Sequence, residues 1–198
     1  FQSYVADVAA QVIASDAADM DAFMAEAWKP DSSKTVKDAL VEKVAVIGEN
    51  LSIRRFEKIK TDGVVVSYIH GGGRIGVLVE SATATAEPAV KEALVNVAMQ
   101  IAALSPKYVS QAEVSEEYKE HEKEILLAQA KQENPNKPDN IIEKMIIGRL
   151  NKELKEVCLL DQAYVKDGDL TVGKYLEKVS KETGVDVTVT RFVRYETG

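Results

Sequence analysis

The stretch SYIHGGGRIGVLVE, Ser67 to Glu80, brings together a histidine, three consecutive glycines and an arginine. Glycines after a strand cradle phosphate when a helix follows, because the free amides and dipole of that helix then face the anion. Here they lead into RIGVLVE, which alternates as a strand, and no Lys-Ser or Lys-Thr pair follows. The phosphate reading fails on that context. A turn that needs positive φ accounts for the glycines. His70 is then expected at the tip of a hairpin, with its imidazole pointing away from the core of the sheet.

The other reactive side chains are similarly constrained. The lone cysteine, Cys158, lies in the apolar run VCLL and reads as a buried structural thiol. The only other histidine, His121, falls in a charged helical segment, so no second ligand has the spacing of a metal site. Glu116, Glu117, Glu120, Glu122 and Glu124 interleave with lysines on one helix. That is a solvated face with i,i+4 pairing rather than an acid–base pair. Arg54, Arg55, Lys58 and Lys60 alternate along an expected strand and read as snorkelling side chains. No nucleophile has a base beside it. The expectation is a binding or regulatory module without covalent chemistry and without a cofactor.

Composition agrees with that class. The chain of 198 residues carries 25 Lys plus Arg against 32 Asp plus Glu, a net charge of -7. This balance disfavours nucleic acid and anionic membrane as partners. A single cysteine fits a reducing cytoplasm, and no run of 18 apolar residues is present.

The elements that must position these residues follow from periodicity. Val5, Val8, Val12 and Ile13 mark a first helix, and Ala22 to Trp28 is expected to continue as a second, ended by Pro30 and DSSKT. Thr35 caps a third helix that stops at Gly48. LSIRRFEKIK, VVVSYIH and RIGVLVE read as strands, and Pro88 begins a helix through Leu104. Residues 113–157 read as a charged helix, the turn NPNKPDN and a returning helix: a projecting helical hairpin. A loop at 161–170, a helix at 172–182 and a last strand in VDVTVTRFVRYE complete the chain.

An internal repeat organises these elements. TVKDALVEKVAVIGENLSIRRFEK aligns with TVGKYLEKVSKETGVDVTVTRFVR at a constant offset of 136, matching Thr35 with Thr171, Gly48 with Gly184 and Phe56 with Phe192. Upstream, VAAQVIA aligns with VAMQIAA at an offset of 89. The offsets differ by 47 residues, which the helical hairpin at 113–157 accounts for as an insertion in the second copy. The expected fold class is α+β: duplicated helix–sheet subdomains with antiparallel strands and an inserted helical-hairpin arm. The expected organisation is a first core subdomain at 1–60 that lacks its N-terminal hairpin, a second at 61–112 and 158–198, and the arm at 113–157.

IGENLSIRRFE, YIHGGGRIGVLVE, AMQIAA, EKMIIGRLNKELKEVCLLDQAYV, TVGKYL and TRFVRYETG, in this order across nearly the whole chain, resemble the bacterial elongation factor Ts family. The resemblance implies a guanine-nucleotide exchange factor that promotes GDP release from elongation factor Tu during translation. It implies contacts to Tu through Ile47 and Gly48 of IGEN, through His70, and through Val165 with Lys166 beside it. Ala163 stands where the family usually has proline, which removes one source of rigidity from that loop. The family's small N-terminal helical domain and its TDFV motif, expected just before Phe1, do not occur in the sequence, and the C-terminal end stops early. Docking with poor exchange is therefore the expectation for this stretch. The competing reading is an interaction module that homodimerises through the second subdomain or the arm and has no exchange role.

Overall fold

A computed structural model describes residues Phe1–Gly198 as two compact units, Phe1–Lys60 and Thr61–Gly198. In the first, helical spacing gives α1 (Gln2–Ala14) and a short α2 (Met20–Met24), on whose first turn Asp19 accepts the Ala22 N–H at 2.8 Å. The helix expected over Ala22 to Trp28 stops at Met24. Ala27–Trp28 instead forms β1, antiparallel to β2 (Asp31–Thr35), with Lys29 and Pro30 as the tip between the paired Trp28 and Asp31. A proline cannot serve a helix interior, and the buried Trp28 ring anchors this turn in the core beside Tyr4, Phe23 and Val36. Thr35 then opens α3 (Val36–Ile47) with a reciprocal capping box to Asp38, and Gly48 closes it at φ 78°.

Residues 51–60 form no strand, which corrects the reading of LSIRRFEKIK. A strand exists only where neighbouring backbone completes its ladder, and within this unit none does. Packing holds the segment instead. Ile53 and Phe56 lie against the core, and the Phe56 ring sits 4.8 Å from that of Phe23. Lys58 is not a snorkelling strand residue either, since its ammonium donates to the Ser15 carbonyl at 2.8 Å.

In the second unit, β3 (Val64–His70) and β4 (Ile75–Ser81) pair antiparallel, and β4 also pairs with the strand Arg191–Glu196. Helix α4 (Pro88–Leu104) covers one face of this sheet, burying Val90, Leu94, Val97 and Ile101 against Val64, Val66, Val77 and Val79. Helices α5 (Glu116–Glu133) and α6 (Asp139–Val157) pack together as the arm. Its seam is Ala130, Ile142 and Ile146, then Leu150, Leu154 and Cys158, with an Arg149–Glu133 ion pair of 2.8 Å beside it. The expected loop at 161–170 is instead a small hairpin, β5 (Ala163–Tyr164) with β6 (Asp167–Thr171), leading into α7 (Val172–Thr183). The last strand, β7, is shorter than expected, spanning Arg191–Glu196; Val187 and Val189 are buried in the core before the ladder begins. The structure is α+β, with three small antiparallel sheets.

The duplication is visible atom by atom. β1, β2 and α3 recur 136 residues later as β5, β6 and α7, and both helices end on a left-handed glycine, Gly48 at φ 78° and Gly184 at φ 70°. The Gln11 amide donates to the Ala27 carbonyl (3.2 Å) and accepts the Lys29 N–H (2.9 Å). Gln100, 89 residues on, donates to the Ala163 carbonyl (3.0 Å) and accepts the Val165 N–H (2.8 Å). Both offsets thus meet in one hydrogen-bonding device. The copies differ in cover. Leu94 and Ala102 are 0% and 4% exposed on α4, whereas their counterparts Val5 and Ile13 on α1 are 48% and 72% exposed. Within residues 1–60 no strand pair stands where β3 and β4 stand in the second unit.

Candidate functional site

In the second unit the hairpin tip is built by its glycines. His70 and Ile75 are the last paired residues, and the Gly73 N–H returns to the His70 carbonyl at 3.3 Å. Gly71, Gly72 and Gly73 have φ of 61°, 68° and 101°. Gly71 and Gly72, at the centre of the turn that this bond closes, match the twist of the flanking strands, and each of the three positions would strain an L-residue by about 1 kcal/mol or more. No helix follows, so these amides face no anion site of the helix N-terminal kind.

His70 is exposed, but alternation puts it on the same face of β3 as the buried Val64 and Val66, not on the opposite one as its expected orientation required. Tyr68, two residues earlier on that face, is partly buried against the core, and its hydroxyl lies 2.9 Å from Nδ1 of His70. The two rings are 5.8 Å apart at 45°.

Val165 and Lys166 form the two-residue tip between the paired Tyr164 and Asp167. Gln100, fully buried on α4, holds this tip through Ala163 and Val165, and its amide also donates to Oε1 of Gln162 at 3.3 Å. A glutamine from another element thus ties both sides of this tip by backbone hydrogen bonds. Lys166 donates to Oδ1 of Asn96 at 2.6 Å, and the Asn96 amide donates to the Tyr175 hydroxyl at 3.0 Å. Tyr175 stacks on Tyr164 at 4.2 Å. Burial, then the hydrogen bond to Tyr175, pushes the Tyr164 phenol well above its usual range, so it stays neutral. The Val165 side chain remains half exposed above this framework. Tyr68, Asn96 and Gln100 escape a motif-based reading, although the polar Gln aligned at the centre of VAAQVIA and VAMQIAA is a readable signal.

In the first unit, Ile47 and Gly48 close α3. Ile47 is partly buried and Gly48 exposed, and the Gly48 N–H donates to the Val44 carbonyl at 2.9 Å. A left-handed glycine here turns the chain away from the helix and leaves a smooth backbone surface.

Cys158 is buried, and that burial pushes its thiol pKa up, away from nucleophilic thiolate. No cluster of His, Cys, Asp or Glu side chains is placed to hold a metal ion. A cleft of about 370 Å³ is lined by Leu104, Lys152, Lys155, Glu156, Asp161, Gln162 and Ala163, and His70 is not among them. No helix is long and apolar enough to cross a membrane. What the chain displays is a set of small exposed tips, those at His70 and Val165 held by side-chain hydrogen bonds.

Comparison with known proteins gives a family match and several relatives. The sequence profile of the family described as Elongation factor TS matches residues 1–198. A protein named Elongation factor Ts from Clostridium perfringens (strain 13 / Type A) is 49% identical over 199 residues, covering 100% of this chain and 64% of the relative. One of the same name from Clostridioides difficile (strain 630) is 48% identical over 198 residues, again covering 100% and 64%. Another, from Clostridium botulinum (strain Eklund 17B / Type B), is 51% identical over 171 residues, covering 86% of this chain and 56% of the relative. The chain therefore spans less than two thirds of the length of these relatives.

Proposed function

Because this chain belongs to the elongation factor Ts family, we propose that it acts in translation elongation in the cytoplasm as the core of a guanine-nucleotide exchange factor, binding elongation factor Tu. The observation that carries the proposal is the display of His70: exposed, braced by Tyr68, on a glycine-tipped hairpin. Ile47 and Gly48 on the first unit, and Val165 with Lys166 on the second, are the further proposed contacts.

The mechanism needs no proton transfer or covalent step. An exchange factor works by binding the nucleotide-free partner more tightly than the nucleotide-bound one, and linkage then obliges GDP to bind the complex more weakly by the same factor. A thousandfold loosening corresponds to about 4 kcal/mol of differential binding. A few buried hot-spot contacts supply that much when they distort the phosphate and magnesium site of the partner. Rigid tips suit this task, because a lever that bends dissipates the strain it should transmit.

The test is His70→Ala in the Phe1–Gly198 chain, titrated against nucleotide-free elongation factor Tu. A loss of affinity of about thirtyfold or more is expected for a hot-spot side chain. Unchanged affinity would remove His70 from the interface. Loss of self-association with Tu binding intact would favour a dimerising module instead.

A further inference from the structure

The Tyr68–His70 pair carries more than the exposure of the histidine. A side chain at the tip of a hairpin is ordinarily free to sample several rotamers, and a neutral imidazole can carry its proton on either nitrogen. Here one nitrogen is occupied. Nδ1 of His70 lies 2.9 Å from the Tyr68 hydroxyl, and Tyr68 is packed against the core and paired with Val77 across the sheet. A phenol is a much stronger proton donor than a neutral imidazole N–H, and its ring-conjugated oxygen is a poor acceptor, so the favoured sense is O–H to Nδ1.

We infer that Tyr68 is a positioning residue: its hydroxyl donates to Nδ1 of His70 and holds the neutral ring with Nε2–H free, so that the histidine meets its partner as a hydrogen-bond donor. The group it would engage is an acceptor, a backbone carbonyl or a carboxylate on the facing protein. This rests on the reading above that His70 contacts elongation factor Tu. The arrangement also lowers the cost of binding, since the ring is ordered before the partner arrives.

Two measurements separate this inference from that reading. The first needs no partner: imidazole nitrogen spectra of the Phe1–Gly198 chain at about pH 8.5, where histidine is neutral. The exposed His121 serves as an internal reference. His70 should be protonated at Nε2 alone, with Nδ1 displaced from the His121 position by the hydrogen bond it accepts. Tyr68→Phe, which keeps the ring packing, should return Nδ1 toward the His121 position and mix the tautomers. A proton on Nδ1 in the parent chain, or identical His70 signals in the two proteins, would overturn the inference. The second is affinity for nucleotide-free elongation factor Tu. Tyr68→Phe should weaken binding by about threefold to tenfold, the span of one net hydrogen bond. Adding it to His70→Ala should cost nothing further, whereas additive losses would refute action through the histidine. Parent-like binding by His70→Ala would overturn the partner contact, and with it the donor role, whatever the ring spectra show.

Discussion

Gln100 offers the sharpest test of how the Val165 tip is held. Gln100→Met keeps side-chain length and volume while removing every polar atom. Three hydrogen bonds go: the amide to the Ala163 carbonyl (3.0 Å), the amide to Oε1 of Gln162 (3.3 Å) and the Val165 N–H to the side-chain carbonyl (2.8 Å). Each buried group left without a partner costs about 1–3 kcal/mol. Residues 163 and 165 are themselves exposed, so water replaces part of the loss and the lower figure applies to each backbone group. With the buried Gln162 oxygen at the full cost, the sum is about 3–5 kcal/mol, which for a chain of this size lowers Tm by about 6–20 °C. Stability alone would not locate the effect, so the decisive assay is amide hydrogen exchange at Val165. Exchange there requires the bond to Gln100 to open, and removing about 2 kcal/mol of protection speeds it about thirtyfold. Gln11→Met, in the equivalent position of the first unit, should destabilise that unit and leave Val165 exchange unchanged. Parent-like exchange at Val165 in Gln100→Met would refute the clamp.

The two helix-ending glycines give a matched pair. Gly48→Ala and Gly184→Ala place a Cβ with nothing within 4 Å but at φ of 78° and 70°, so each should cost about 1 kcal/mol from backbone strain alone, read by denaturant unfolding. Only Gly48→Ala should also weaken binding to elongation factor Tu; equal binding losses in both would reduce the Gly48 effect to folding. In the arm, burial first, then the charge and hydrogen bond of Glu122, raises the Glu153 pKa above its ordinary value. A raised carboxyl makes the folded state the stronger proton binder, so arm stability should increase as pH falls through the folded pKa and level off below the unfolded value of about 4.3. Glu153→Gln should raise the melting temperature at pH 7 and flatten that part of the profile; a lower melting temperature at pH 7 would reverse the assignment.

The duplication is legible because it is written twice in residues that cannot drift freely: the capping Thr35 and Thr171, the left-handed Gly48 and Gly184, and the aromatic Phe56 and Phe192. The long helices are legible from apolar spacing, α4 to the residue. The small hairpins are not. β1 and β5 are two residues long, and β2 and β6 read DSSKT and DGDLT, polar runs with no alternation to reveal them. What holds them is tertiary, a glutamine side chain from α1 or α4 reaching across. The strand expected at residues 51–60 fails for the converse reason: its sequence matches that of β7, but a ladder is a property of neighbours. At the candidate site, the exposure of His70 follows from its place at a glycine-rich tip. Its brace by Tyr68 depends on an i,i+2 pairing on one strand face that only the pleat reveals.

An exchange factor must discriminate between states of its partner, and one equilibrium comparison tests whether this chain does so. Affinity of the Phe1–Gly198 chain is measured by calorimetry for nucleotide-free and for GDP-saturated elongation factor Tu under the same conditions. Binding to the nucleotide-free form is expected to be clearly tighter, by about a hundredfold or more, equivalent to about 2.7 kcal/mol. Equal affinity for the two forms would contradict it, because a ligand indifferent to nucleotide cannot expel it.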